Sequence, residues 1–214
     1  MKKINTIRLR AMCGWLGLLL PWIVFFLSMA YNCLPNEYLY PASISITYYY
    51  ESTIVPFMII LGSASILLIC YEGYEKIDDI INTITGIAGL GICLFPCYTW
   101  QDEIVGTFQL SNTLSNWIHN ICALVFFVLL AYNVLFLFTK SSGIKTRNKK
   151  IRNFIYRICG IGMLVSMICL FIFNGYSVIG WVEAIALMFF GIAFLTKADI
   201  YPWLFCDTPY RDDI

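Results

Sequence analysis

Of the chain's 214 residues 60% are hydrophobic, 17% aromatic and only 13% charged. Water-soluble domains carry about a quarter charged residues, so this composition excludes an ordinary soluble globule and predicts several membrane spans in one domain over residues 1–214. A formal net charge of +1 gives no reason to expect nucleic acid as a partner; the placement of the charges carries the information instead.

The chain opens with a basic segment, residues 1–10, that contains no acid. A first apolar run follows at about 11–31. Basic flank plus apolar run also describes a secretory leader, with Ser28-Met29-Ala30 resembling a cleavage site, but the run is long for that and reads better as an uncleaved first helix, kinked at Pro21. Residues 32–53 form a polar, tyrosine-rich loop suited to a membrane–water interface. Within it, Ser43 to Tyr48 alternates polar and apolar, the pattern of a short extended piece.

The second span, about 54–71, carries Pro56 in its first turn and the small stretch Gly62-Ser63-Ala64-Ser65 for close helix packing. A short acidic loop, 72–83, leads to a third span at about 84–100, glycine-rich through Gly86, Gly89 and Gly91 and therefore expected to pack against neighbouring helices. Residues 101–117 are a polar loop with room for one helical turn.

The fourth span, about 118–138, has no charged side chain and reaches about 30 Å, one bilayer core. The chain's single histidine, His119, stands at its start. A basic loop follows at 139–157, then a fifth span at about 158–174, a tight turn at Asn174-Gly175, and a sixth at about 178–196. The tail, 197–214, contains Tyr201-Pro202-Trp203-Leu204-Phe205, which suits a position along the membrane surface.

The expected fold is thus all-α: a polytopic six-transmembrane-helix bundle. All fourteen Lys and Arg residues fall in the N-terminal segment, the second-to-third loop, the fourth-to-fifth loop and the tail. The positive-inside rule is met throughout if both termini are cytoplasmic, in a plasma (cell inner) membrane crossed several times. Seven of the cations lie between Lys140 and Arg157. They set topology, and each would gain roughly 1 kcal/mol beside an anionic leaflet.

On this topology spans two, four and six start on the outer side, near Glu51, His119 and Glu183. Glu183 is the one acid inside an apolar run, and a carboxylate there must be protonated, paired or wetted. His119, Cys122, Phe126 and Asn133 share a helical face, and Gly180, Ala184 and Gly191 line a small stripe beside Glu183. Pairing of Glu183 with His119, or with a hydroxyl from Tyr48, Tyr49 or Tyr50, would satisfy the acid. It would either fix packing or build a polar pocket in the outer leaflet. The candidate ligand-binding set is Glu51, His119, Glu183, Tyr49 and Tyr50.

The nine cysteines are odd in number and lie mostly in apolar runs, the habit of buried thiols rather than of a disulfide framework. The oxidising side leaves open, as an alternative, a bridge from Cys33 to Cys97 or Cys122. Cys93/Cys97 and His119/Cys122 have helical spacings that metal pairs use, without forming a specific signature. One histidine excludes HExxH chemistry, and no phosphate loop or GxSxG elbow occurs. No catalytic residue, metal or cofactor is expected.

Pro41-Ala42-Ser43-Ile44-Ser45 and Glu51 before span two, Gly89-Leu90-Gly91 in span three, His119 opening span four and Glu183 in span six together resemble the DRAM (damage-regulated autophagy modulator) family and small six-span bacterial proteins of unknown function. Tyr49-Tyr50-Glu51 stands where that family has Pro-Pro-Glu. The resemblance covers about residues 11–196. It implies a six-helix membrane protein tied to lipid handling or membrane homeostasis, without an established catalytic mechanism.

The functional expectation is a non-enzymatic membrane protein that binds a lipid or amphiphile in an outer-leaflet polar pocket. The alternatives are an intramembrane lipid-modifying enzyme using His119 and Glu183, and a small transporter or channel subunit. Membrane lipids are the expected partners. The small-residue faces also suit a homo-oligomer or another membrane protein.

Overall fold

The computed structural model describes residues 6–31, 41–73, 75–100, 102–140, 147–172, 178–198 and 200. They form six helices: α1 (Thr6–Ala30), α2 (Ile54–Ile69), α3 (Lys76–Leu94), α4 (Asn112–Tyr132), α5 (Arg147–Ile172) and α6 (Ile179–Lys197). Each packs against its neighbours in the chain, and α6 returns to α1, closing a ring in sequence order. A small antiparallel hairpin, β1 (Ile104–Val105) and β2 (Leu110–Ser111), sits between α3 and α4. Its turn is made by Gly106 and Gln109, both at positive φ.

The outer surface of the ring is apolar. On α5 the exposed positions Phe154, Ile158, Ile161, Val165, Ile168 and Ile172 recur every three or four residues, a continuous stripe along one helical face. Helix α3 does the same with Ile77, Ile80, Ile84 and Ile87, and α4 with Leu114, Trp117, Ile121, Leu124 and Val128. Such stripes would be insoluble in water and are at home in lipid. Five helices are long and apolar enough to cross a membrane, and α2 is a shorter apolar helix of 16 residues. The chain is an integral membrane protein.

Inside the ring, small residues let helices approach. A Cβ on Gly17 would lie 2.3 Å from the Phe190 ring, and one on Gly191 would lie 2.8 Å from the Gly14 carbonyl. The α1–α6 seam therefore depends on glycine at both positions. The α3 glycines behave as expected: Gly89 abuts Ser65 and Phe126, and Gly91 abuts Cys122. On α2 the expectation holds for Ser65 but not for Gly62, which faces open space.

Several boundaries differ from the expected spans. Helix α3 begins at Lys76 rather than 84, because Glu75 and Asp78 form a capping box; the acids expected in a loop are its first turn, where they meet the positive end of the helix dipole. It ends at Leu94, since Pro96 forces Phe95 into an extended conformation. Helix α4 starts at Asn112, whose side chain holds the Thr99 carbonyl at 2.5 Å and the Asp102 carbonyl at 2.9 Å. It finishes in a π turn, Asn133–Leu137.

Much of the basic loop is helical, because α5 starts at Arg147. The extended piece expected at Ser43–Tyr48 is instead a 3-10 turn over Ser45–Tyr49. The hydroxyl of Thr47 bonds the Ile44 carbonyl and that of Thr53 bonds the Thr47 carbonyl, coiling the segment locally. Helix α1 runs unbroken through Pro21. The turn at Asn174-Gly175, the tail motif from Tyr201, Cys33 and Cys206 lie outside the described residues.

The cations among the described residues gather at one end of the ring, and several are buried: Arg10, Lys149, Arg152 and Lys197 are each under 5% exposed. Arg10 donates from Nε to the Tyr71 hydroxyl at 2.8 Å. Lys140 reaches Asp78 at 3.1 Å and Glu75 at 3.3 Å. Lys140 loses some preference for its charge to burial, but hydrogen bonds and ion pairing to Asp78 and Glu75 outweigh that and raise its pKa. This end is a packed polar layer rather than a solvated loop.

A cavity walled by serines, histidine and a buried acid

The opposite end of the ring is built around residues 41–45, which cross the start of α6. Gly180 donates its N–H to the Ala42 carbonyl at 2.8 Å, and a Cβ there would lie 2.6 Å from the Pro41 carbonyl. Glu183 sits one turn further along α6. The Ser43 hydroxyl reaches its two carboxylate oxygens at 2.9 and 3.0 Å, and the Ile44 N–H donates to Oε2. Ser45 N–H in turn donates to Ser43 Oγ at 3.0 Å. Donors converge on both oxygens, the arrangement an acceptor-only carboxylate needs.

His119 approaches the same segment from α4. Its Nδ1 lies 2.8 Å from the Phe95 carbonyl and its Nε2 3.1 Å from Ser45 Oγ. A carbonyl can only accept, so Nδ1 carries the proton, while Nε2 and the Ser45 hydroxyl form a second hydrogen bond. The Phe95 carbonyl is free for this because α3 has just ended and its last carbonyls lack helical partners. Both ring nitrogens are thus engaged.

His119 and Glu183 therefore converge on one short segment without touching each other. Two serines, two residues apart, hold one each. The three remaining predicted residues lie outside the cavity lining. The Tyr49 hydroxyl donates to the Cys97 carbonyl at 2.5 Å, and burial, followed by nearby negative charge, pushes its phenol above the usual range. Tyr50 is half-buried in the turn into α2, and Glu51 is exposed. The sequence reading missed Ser43, Ser45, Asn116 and Asn120. Ser43 and Ser45 stood in the segment that carried the family resemblance, but a serine in a polar loop has no periodicity to mark it.

These groups line a cavity of about 620 Å³. Ser43, Ser45, His119, Asn120 and Glu183 supply its polar side, while Phe57, Leu61, Phe126, Phe127, Met167 and Leu187 supply apolar wall. The most exposed of its large apolar lining residues are Trp117 and Ile121 on α4 and Phe171 on α5. The cavity therefore opens sideways between those two helices, toward the lipid-facing surface. Among the described residues no lysine or arginine lines it.

Cys97 also lines the cavity. Its thiol is pushed up to about 12, first by burial and then by the Glu183 carboxylate. Cys97 and Cys122 are free thiols. Among the described residues no group of three or more His, Cys, Asp or Glu side chains could hold a metal ion.

Fold and site together define an integral membrane helical ring with a lateral, acid-bearing cavity at the end away from its cations. Comparison with protein-family models, curated proteins and solved structures finds no match to the chain.

Proposed function

We propose that this protein is a six-span, non-enzymatic membrane protein with both termini cytosolic in a plasma (cell inner) membrane, and that it receives a lipid or other amphiphile in its outer-leaflet cavity. The observation that carries the reading is the cavity's division into a polar side and an apolar wall, with a mouth between α4 and α5. An amphiphile sliding in from the leaflet would meet each part of that cavity with the matching part of itself. A place among DRAM-like proteins belongs to the same proposal and rests on the motif likeness alone.

Filling the cavity tests it. Ala123 lines the cavity and is only half-buried, so Ala123→Phe should insert a ring into the space without crowding a fully packed core. Native mass spectrometry of the protein released from lipid nanodiscs should show a retained amphiphile on the wild type and its loss from the variant. Equal retention by both proteins would remove the reading.

The enzymatic alternative gains one feature. Ser45 Oγ within hydrogen-bond distance of His119 Nε2, with Nδ1 anchored on a carbonyl, has the layout of a nucleophile, its base and an orienting group. The surroundings oppose acyl transfer. The Ile44 and Ser45 N–H groups, which could have stabilised an oxyanion, are committed to Glu183 and Ser43, and a carboxylate beside the reacting centre penalises developing negative charge. A transport path is opposed by the packing toward the ring's middle, where Leu130, Val134, Phe190 and Phe194 are all essentially inaccessible.

A further inference from the structure

Resting on that reading of the cavity, we infer that its ligand is an amphiphile whose head carries a protonated amine. Glu183 presents a carboxylate to the cavity. Among the described residues its hydrogen-bond donors are neutral: the Ser43 hydroxyl and the Ile44 and Ser45 N–H groups. The remaining polar lining adds acceptor capacity rather than positive charge. His119 has both nitrogens engaged by uncharged partners, Asn120 is exposed on the lining, and among the described residues no lysine or arginine lines the cavity.

An anionic head would meet Glu183 with no cation to offset it. A hydroxyl head would gain a neutral hydrogen bond. An ammonium head would gain a charge-assisted one, about twice as strong, in surroundings that water screens poorly. Its positive charge would also supply what an acid one turn inside an apolar helix otherwise lacks. Trp117 at the mouth adds an aromatic face, on which a cation entering from the interface is stabilised. The negative field that disfavours an oxyanion at Ser45 is the field that would select such a head.

The test uses the full chain in detergent micelles and three probes with one tail: hexadecylamine, hexadecanol and hexadecanoic acid. Affinities are read by displacement of a fluorescent amphiphile. The amine should bind about tenfold tighter than either of the others, the size of one charge-assisted bond over a neutral one. Glu183→Gln, which keeps the shape and one acceptor, should bring the three to near equality.

Asn120→Lys leaves the contacts of Glu183 intact, so it serves if the first variant folds poorly, and it should invert the order in favour of the acid. Displacement by all three probes with equal affinity, or an amine preference that survives both variants, overturns the inference while leaving an amphiphile site in place. Displacement by none of them overturns the site itself. A further arm sets phosphatidylethanolamine against phosphatidylglycerol. Preference for the former supports a membrane lipid as the source of the amine, and equal binding of the two alongside the hexadecylamine preference supports a free amine.

Discussion

At the scale of single residues, Glu183 is a fastener as well as a candidate contact. It holds residues 43 and 44 against α6 through the Ser43 hydroxyl and the Ile44 N–H. Glu183→Ala strips both donors of their acceptor, and a buried donor without a partner costs about 1–3 kcal/mol. Glu183→Gln retains an oxygen at the same place. The alanine variant should therefore melt clearly below the wild type in detergent, and the glutamine variant close to it. Equal melting of all three would mean that residues 41–45 are held by other contacts.

Cys97 reports on the same neighbourhood. With its thiol pushed up to about 12, very little thiolate is present at pH 8, and the thiolate is the reactive form. Iodoacetamide at pH 8 should modify the exposed Cys70 well before Cys97, with reaction at Cys97 rising only as the pH approaches 12. Because the Glu183 charge contributes to the elevation after burial, Glu183→Gln should shift that rise to lower pH. Peptide mass mapping at a series of pH values reads both effects. Glu183 and His119 were legible in the sequence because an acid and a lone histidine stand out in apolar runs. Ser43 and Ser45 were not, because their importance comes from what crosses them in space.

At the scale of elements, the apolar runs revealed where helices exist, and local chemistry decided where they begin and end. Asp78 reads as a loop acid by charge but becomes buried in a capping box, at 1% exposure. Arg147 to Arg157 reads as a basic loop, yet it continues α5 because Asn148, Lys149, Arg152 and Asn153 are buried while Ile151 and Phe154 turn outward. Hydropathy averages over a window and cannot see either event.

Packing between elements was only half legible, since a small residue does not announce its partner. Two glycines make the point testable. Gly62→Ala meets nothing within 4 Å and gains helix propensity, so it should be neutral or stabilise by up to about 1 kcal/mol. Gly17→Ala drives a methyl group into the buried Phe190 ring, an overpacking that costs about 1–3 kcal/mol. Thermal melting of the two variants beside the wild type separates them, and a Gly17→Ala protein as stable as the Gly62→Ala one would mean that the α1–α6 seam is looser than its geometry.

At the scale of the whole molecule, the ring has two unlike ends, and that asymmetry predicts an orientation in a bilayer. One end gathers Arg10, Lys140, Lys149, Arg152 and Lys197, with Lys140 paired to Asp78 and Glu75. The other carries Glu51, Asp102, Glu103 and Glu183, with no lysine or arginine among its described residues. Cations close to helix ends are retained on the cytosolic side, so the cavity end should face outward. Lys76 at the start of α3 and Glu103 in the hairpin region are both exposed and stand at opposite ends of α3.

In a Cys70→Ser background, a membrane-impermeant maleimide applied to intact cells should label Glu103→Cys and spare Lys76→Cys until the membrane is opened. The reverse pattern would place the acid-bearing cavity in the cytosolic leaflet. It would then draw its ligand from the opposite lipid pool, while the geometry around Glu183 would stand unchanged. Labelling of both sites in intact cells would mean that α3 does not cross the membrane, and a ring built from spanning helices would no longer be tenable.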